Sequence, residues 1–347
     1  MKMGAVIIII CTCFFLACTI LAIIIYSRSF GRVEGPLDGH FHSFLTWNEI
    51  DHSRYPREEH YFYSGPNKLQ GFVYGGANSK GLIVFSHGMG STPESYFSLV
   101  MHFVDRGWRV FTFSNTGVAG SEGKSVRGLY QSLIDLNTAL TYIESEITFK
   151  GLPVMLMGHS WGGFAACTVL NYNHDIKAVV SFAGFNSGRE VLKEKGLRLA
   201  GKFYYLLTPQ LWAIEKLLFG DTMEMNAVDG INRAGIPVMI VQSSDDQMIP
   251  ADTTSIYAKR GKITNPNVEI IFLDGEDAAG HTYVFCSKGQ RQYRAWAEES
   301  WEKYKASHEE PSQLQWALEI NYDKALANEL NPVLMEKIDS FFEKARR

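Results

Sequence analysis

Ser160 lies in the run "MLMGHSWGGF", residues 155–164, with Gly158 two residues before it and Gly162 two after. A Gly-x-Ser-x-Gly pentapeptide that follows an apolar strand and opens a helix sets the serine on a tight turn, with its hydroxyl exposed at the strand end as a nucleophile. Such a turn forces the serine backbone into a strained region, and a side chain at either flanking position would collide with the adjoining strand or helix. Glycine removes that collision. The hydroxyl attacks poorly until a base accepts its proton and a third group steers the base. Among ten histidines, His281 in "DAAGHTYV" has the best setting, because it follows the apolar run "EIIFLDG" in a Gly-bearing loop and so reaches the sheet edge that carries Ser160. The acid is expected from "VMIVQSSDDQMIP", where Asp245 and Asp246 end a strand side by side and only one can turn to the histidine. The other reads as a loop cap or a solvated carboxylate.

Attack on an acyl carbonyl builds negative charge on its oxygen, which needs preorganised donors. The Trp161 N–H, directly after the serine, is one candidate. The Met89 N–H in "SHGMGS" is the other, although that stretch alone also reads as a plain strand-to-helix turn. His87, Gly88 and His159 touch these motifs and are expected to support the substrate side. His40, His42, His52, His60, His102, His174 and His308 have no motif around them and read as surface or packing residues.

Elements of the right kind surround these residues. "EHYFYSG" and "LQGFVYG" alternate as half-buried strands, and "LIVFSHG", "RVFTFSN", "PVMLMGHS", "AVVSFAG", "VMIVQSS" and "EIIFLDG" are continuous apolar runs, as expected of strands buried on both faces of a parallel sheet. Helical stretches at 92–106, 126–147 and 161–173 separate them, which predicts a doubly wound α/β sheet with right-handed crossovers. Asn331 and Pro332 open a final helix whose Leu334, Ile338, Phe341 and Phe342 share one face. Residues 186–232 are too long for a bare loop and read as a helical cap, in which Tyr204 and Trp212 are candidate substrate contacts. Residues 287–330 form a second helical insertion within a domain spanning 59–347.

At 347 residues, 46% hydrophobic and 20% charged, the chain can bury a full core. Its net charge of −4 and the lack of a basic run argue against a nucleic-acid partner. Residues 4–25 contain no charged side chain and are long enough to cross a bilayer core of roughly 30 Å. A retained transmembrane anchor is favoured over a cleaved signal peptide, whose apolar core is typically only about 7 to 15 residues. Lys2 on one side faces Arg28 and Arg32 on the other, so charge fixes the orientation poorly; the expectation is a short tail inside and the main domain extracytoplasmic. Residues 27–58 look like a polar tether with little core of its own. Three of the five cysteines lie in the apolar segment, leaving Cys167 and Cys286, which make neither a disulfide framework nor a zinc site. No metal or cofactor is implied.

"FSHGMGS", "GHSWGG", "SSDDQMIP" and "GHTYV" together resemble the motifs of α/β-hydrolases of the serine-aminopeptidase, monoacylglycerol-lipase and prolyl-oligopeptidase-like group, from about residue 59 onward. The resemblance implies the α/β-hydrolase fold and the chain order Ser160, Asp246, His281, with Asp246-x-x-Ile249-Pro250 matching the acid position. One departure stands out: "SNTGVAGSEG" places Asn115 and Thr116 where many relatives carry charges. The implied activity is hydrolysis of an ester of carboxylesterase or lysophospholipase type, with aminopeptidase and acyltransferase as alternatives on the same residues. An inactive binding module held at the membrane is the alternative from another class. An aminopeptidase would want a cap carboxylate for a substrate ammonium, and Glu190, Glu194, Glu215, Asp221 and Glu224 are all available.

Overall fold

A computed structural model describes residues 3–37 and 39–346; Lys2 lies outside the described residues. The apolar runs become the strands β1 (Arg57–Ser64), β2 (Asn67–Tyr74), β3 (Leu82–Ser86), β4 (Arg109–Phe113), β5 (Val154–His159), β6 (Ile176–Phe182), β7 (Val238–Ser243) and β8 (Val268–Leu273). They form one sheet in the order β1-β2-β4-β3-β5-β6-β7-β8. The β1–β2 and β2–β4 pairs are antiparallel and all later pairs are parallel. This is the α/β-hydrolase fold, and it brings the carboxyl ends of β3, β5, β7 and β8 to one edge.

One face of the sheet is covered by α3 (Gln131–Ser145), α4 (Trp161–Thr168) and α7 (Ala227–Ala234), the other by α2 (Phe97–Asp105) and α10 (Pro332–Ala345). Every residue of β3 and β7 is buried, as continuous apolar runs require. β8 departs from that expectation. It is the edge strand, so nothing pairs beyond it, and Ile270 and Phe272 stay 40% and 37% exposed. α3 begins only at Gln131, because Arg127 and Gly128 hold positive φ values of 60° and 153° that a helix cannot accommodate. The Asn331 side chain accepts from the N–H groups of Val333 and Leu334, a cap worth about 1 kcal/mol, and seats α10 on the sheet.

The cap consists of α5 (Gly188–Ala200) and α6 (Tyr204–Phe219); α7, within the same insertion, packs on α4 instead. The apolar amino-terminal segment is one helix, α1 (Met3–Ser29), long and apolar enough to cross a membrane. It packs on α6, burying Cys18, Ala22 and Tyr26. Residues 31–37 and 39–55 are laid on the domain, because their aromatic and cationic side chains find partners there. The Arg32 guanidinium donates to the carbonyls of Ser121 and Gly123 at 3.0 and 2.9 Å, Tyr55 is buried, and Arg57 stacks over Trp47 and Phe72 at 3.8 and 4.2 Å. The second insertion forms α8 (Lys288–Ser307) and α9 (Gln313–Glu319), where Trp316 meets the Phe41 ring at 5.7 Å; nearby, Arg294 and Asn328 both donate to the Ser43 carbonyl at 2.9 Å.

Candidate active site

Ser160 stands between β5 and α4 with φ 55° and ψ −111°, a conformation that costs an L-residue roughly 1–3 kcal/mol and persists only where neighbours enforce it. Here the Ser160 N–H donates to the Phe182 carbonyl at 2.8 Å and the Ser160 carbonyl accepts from Phe164 N–H at 2.9 Å. A Cβ on Gly158 would collide with the Gly162 carbonyl, and one on Gly162 with the Ser86 carbonyl. Both glycines are therefore required by the packing of β5 and β3 against α4.

The Ser160 Oγ lies 2.8 Å from His281 Nε2, and His281 Nδ1 lies 2.8 Å from Asp246 Oδ2. With Nδ1–H donating to the carboxylate, the Nε2 lone pair faces the serine hydroxyl. Asp246 is buried, yet Met248 and Ile249 N–H donate to its Oδ1 at 2.9 and 2.8 Å, and Gln242 Nε2 donates to Oδ2 at 3.1 Å. Asp245 turns the other way. Its Oδ1 accepts from Ser243 Oγ at 2.6 Å and from Gly280 N–H at 2.8 Å, while Ala279 N–H donates to Ser243 Oγ at 2.8 Å. One carboxylate thus meets the imidazole and its neighbour pins the loop that carries it.

Met89 is half-buried in the turn after β3, and its N–H has no partner among the described residues. The Trp161 N–H stands at the first position of α4, where a helix offers no acceptor. The Trp161 indole is buried and donates from Nε1 to the Leu129 carbonyl at 2.6 Å, so only its backbone is open to the site.

His87, Gly88 and His159 are buried, and the ring nitrogens of both histidines bond to groups of the protein itself. His87 is fully buried, donates from Nδ1 to the Gly88 carbonyl at 2.8 Å, and accepts at Nε2 from Asn115 N–H at 3.2 Å. Burial pushes its imidazole down to about 4. His159 donates from Nε2 to the His281 carbonyl at 3.0 Å and accepts at Nδ1 from Tyr96 Oη at 2.8 Å; Tyr96 Oη accepts in turn from Gly88 N–H at 3.0 Å. Burial, reinforced by His281, pushes His159 down to about 3. Both rings are neutral near pH 7 and act as fixed struts between the Gly88 turn and the His281 loop.

Sequence reasoning missed Tyr96 and Gln242. Gln242 had a signal, being the polar residue inside the buried run "VMIVQSS"; Tyr96 had none. The uncharged "SNTG" loop keeps its shape through the buried Asp135, which accepts from Thr116 N–H at 2.7 Å, Thr116 Oγ1 at 3.0 Å and Ser64 Oγ at 2.6 Å.

Tyr204 and Trp212 share a cavity of about 570 Å3 with Arg189, Glu190, Glu215 and Glu224. Ser160, His281 and Met89 do not line it. The cap thus gathers these two side chains at one cavity. Among the described residues no group of three or more His, Cys, Asp or Glu side chains is placed to hold a metal ion.

The sequence profile described as serine aminopeptidase, S33, matches residues 77–228, a span that holds Met89 and Ser160 and stops short of Asp246 and His281. An esterase of Pyrococcus furiosus superposes with a TM-score of 0.55 at 16% identity, covering 92% of this chain and 100% of its own. The chain has the fold of the α/β hydrolases. Another α/β hydrolase, from Penicillium, superposes with a TM-score of 0.51 at 14% identity, covering 84% of this chain and 99% of its own. An acylaminoacyl peptidase of Pyrococcus horikoshii gives 0.50 at 15% identity, covering 75% and 43%. Over 95 residues the chain is 32% identical to the monoglyceride lipase of Saccharomyces cerevisiae, a match spanning 26% of this chain and 30% of the lipase.

Proposed function

We propose that the chain is a membrane-held serine hydrolase that cleaves carboxylic esters through Ser160, His281 and Asp246. The observation that carries the reading is the pair of 2.8 Å contacts from Ser160 Oγ to His281 Nε2 and from His281 Nδ1 to Asp246 Oδ2. Ser160 Oγ bonds to the ester carbonyl carbon as its proton passes to His281 Nε2, and Asp246 holds the imidazolium. The Met89 and Trp161 N–H groups receive the oxyanion. Collapse expels the alcohol, which takes the proton from His281; water then repeats the sequence on the acyl-serine and releases the acid.

An ester is favoured over an aminoacyl substrate by the state of the cap carboxylates. Glu190 pairs with Lys259 at 3.1 Å, Glu224 with Arg189 and Asp221 with Lys216, each at 2.5 Å, and Glu194 accepts from Thr253 at 2.7 Å. Glu194 does not line the cap cavity, which leaves Glu215, and burial, aided by Glu224, pushes its carboxyl up to about 7, which weakens it as an ammonium ligand. The retained anchor is supported by α1 itself, since cleavage after residue 25 or so would strip Cys18 and Ala22 from α6. The reading has residues 4–25 spanning the membrane and the domain extracytoplasmic.

A panel of p-nitrophenyl esters of graded acyl length beside aminoacyl-nitroanilides tests this. Turnover of esters with little anilide cleavage, abolished by Ser160→Ala, is the expected result. Anilide cleavage that exceeds ester cleavage would move the assignment to a peptidase, and undiminished turnover by Ser160→Ala would overturn it.

A further inference from the structure

α1 and the cap touch at a depth that has a physical consequence. The charge-free run ends at Ile25, while Cys18, seven residues earlier and ~10 Å down the helix at ~1.5 Å per residue, is buried, and α6 is the cap element packed on α1. Leu211, Ile214 and Leu218 of α6 join the apolar cluster that contains Tyr26 and Phe30. If residues 4–25 cross hydrocarbon, the part of α6 that covers Cys18 and Ala22 lies at the same level.

The outward face of α6 has the composition this requires. Tyr205, Leu206, Pro209, Trp212, Ala213 and Leu217 are all exposed and share one side of the helix. A helix that borders water shows polar residues on that side, whereas α6 carries only Glu215 and Lys216 as charges in sixteen residues, and Glu215 faces inward. At the α5–α6 corner Leu199 and Phe203 are 86% and 75% exposed, with exposed Lys202 between them. Exposed Arg28 closes α1. Apolar side chains with cations at their margin match the boundary between acyl chains and anionic headgroups.

We propose that the cap is sunk into the bilayer, with α6 lying beside α1 and its outer stripe against acyl chains. This rests on the reading of residues 4–25 as a retained anchor. The occupant of the stripe is lipid rather than a second copy of the chain, because the stripe is continuous with a helix whose own exposed face is already apolar.

The full chain is reconstituted in vesicles of phosphatidylcholine and phosphatidylglycerol as three variants, Phe203→Trp, Leu217→Trp and Ile147→Trp. Ile147 is 75% exposed just before β5, at the opposite edge of the sheet, and serves as the reference. The emission added at 203 and 217 is expected to be quenched severalfold more by lipids brominated on the acyl chain than by aqueous iodide, with the reverse order at 147. Iodide quenching at 203 and 217 equal to that at 147 would overturn the proposal. Shielding from both quenchers together with a doubled particle mass would also overturn it, in favour of a second copy. Release of the chain by alkaline carbonate wash would overturn the anchor reading and this one with it. Lipid quenching in a protein that turns over no ester would support the immersion while counting against the proposed activity alone.

Discussion

The ionisable groups around Ser160 and those of the cap are held differently. At the edge both nitrogens of His87, His159 and His281 and both oxygens of Asp246 have partners at hydrogen-bond distance. In the cap Glu215 Oε1 is buried without a partner among the described residues, and Tyr205, Leu206, Trp212 and Leu217 stand in the open. The edge is preorganised, so its geometry exists before any ligand arrives. The cap has surfaces that its own fold leaves unsatisfied, which suits an element completed by its surroundings.

That contrast can be broken first at the serine. Ser160→Ala should cut kcat for short esters by on the order of 10^6 while the protein still folds, because the positive φ at 160 is no worse for alanine. Asp246→Asn keeps the shape of the site but favours the wrong imidazole tautomer, and the expected loss is about 10^4 in kcat. Asp245→Asn is the matched comparison: it touches the Gly280 loop instead of the ring, so its loss should be far smaller in the same assay.

A finer test of preorganisation lies at Tyr96. Tyr96→Phe removes the hydroxyl between Gly88 N–H and His159, an interaction worth about 1 kcal/mol, so kcat should fall roughly fivefold. A positioning role predicts that KM stays unchanged; a rise in KM with kcat intact would assign Tyr96 to binding.

The cap offers the smallest effect and the opposite sign. Glu215 has its folded carboxyl pushed up to about 7, above its ordinary value of 4.5, so protonation favours the fold. Its contribution is fully present below about pH 4.5 and is lost as pH rises through 7. Thermal unfolding of the wild type relative to Glu215→Gln should therefore worsen between pH 6 and pH 8.5. A constant difference across that range would place the Glu215 carboxyl in water.

What could be read in the sequence follows the same division. Gly158, Gly162 and Ser160 are legible because a strained turn restricts which residues fit, and the Asp245–Asp246 pair and His281 because they follow strands of one sheet; Asp246 is singled out only by the resemblance of Asp246-x-x-Ile249-Pro250 to the family motif. The doubly wound α/β sheet follows from the alternation of apolar runs and helices, and the resemblance of the four motifs implies the α/β-hydrolase fold. The strut through Tyr96 was not legible, since its partners come from segments 63 and 122 residues apart and no local pattern joins them. Edge position is equally silent: "EIIFLDG" looks like its buried neighbours, yet pairs on one side only. The docking of residues 31–37 and 39–55 was hidden because single aromatics, Phe41, Trp47 and Tyr55, do the anchoring within a polar composition. For the cap, sequence located Tyr204 and Trp212 but not their direction, which depends on how α6 packs on α1.

The most direct test of the central claim is the site of covalent modification. A fluorophosphonate probe followed by peptide mass spectrometry should give one adduct, on the peptide holding Ser160. That adduct should vanish in Ser160→Ala and form much more slowly in Asp246→Asn. Undiminished labelling of Ser160→Ala, or an adduct on another residue, would contradict the account.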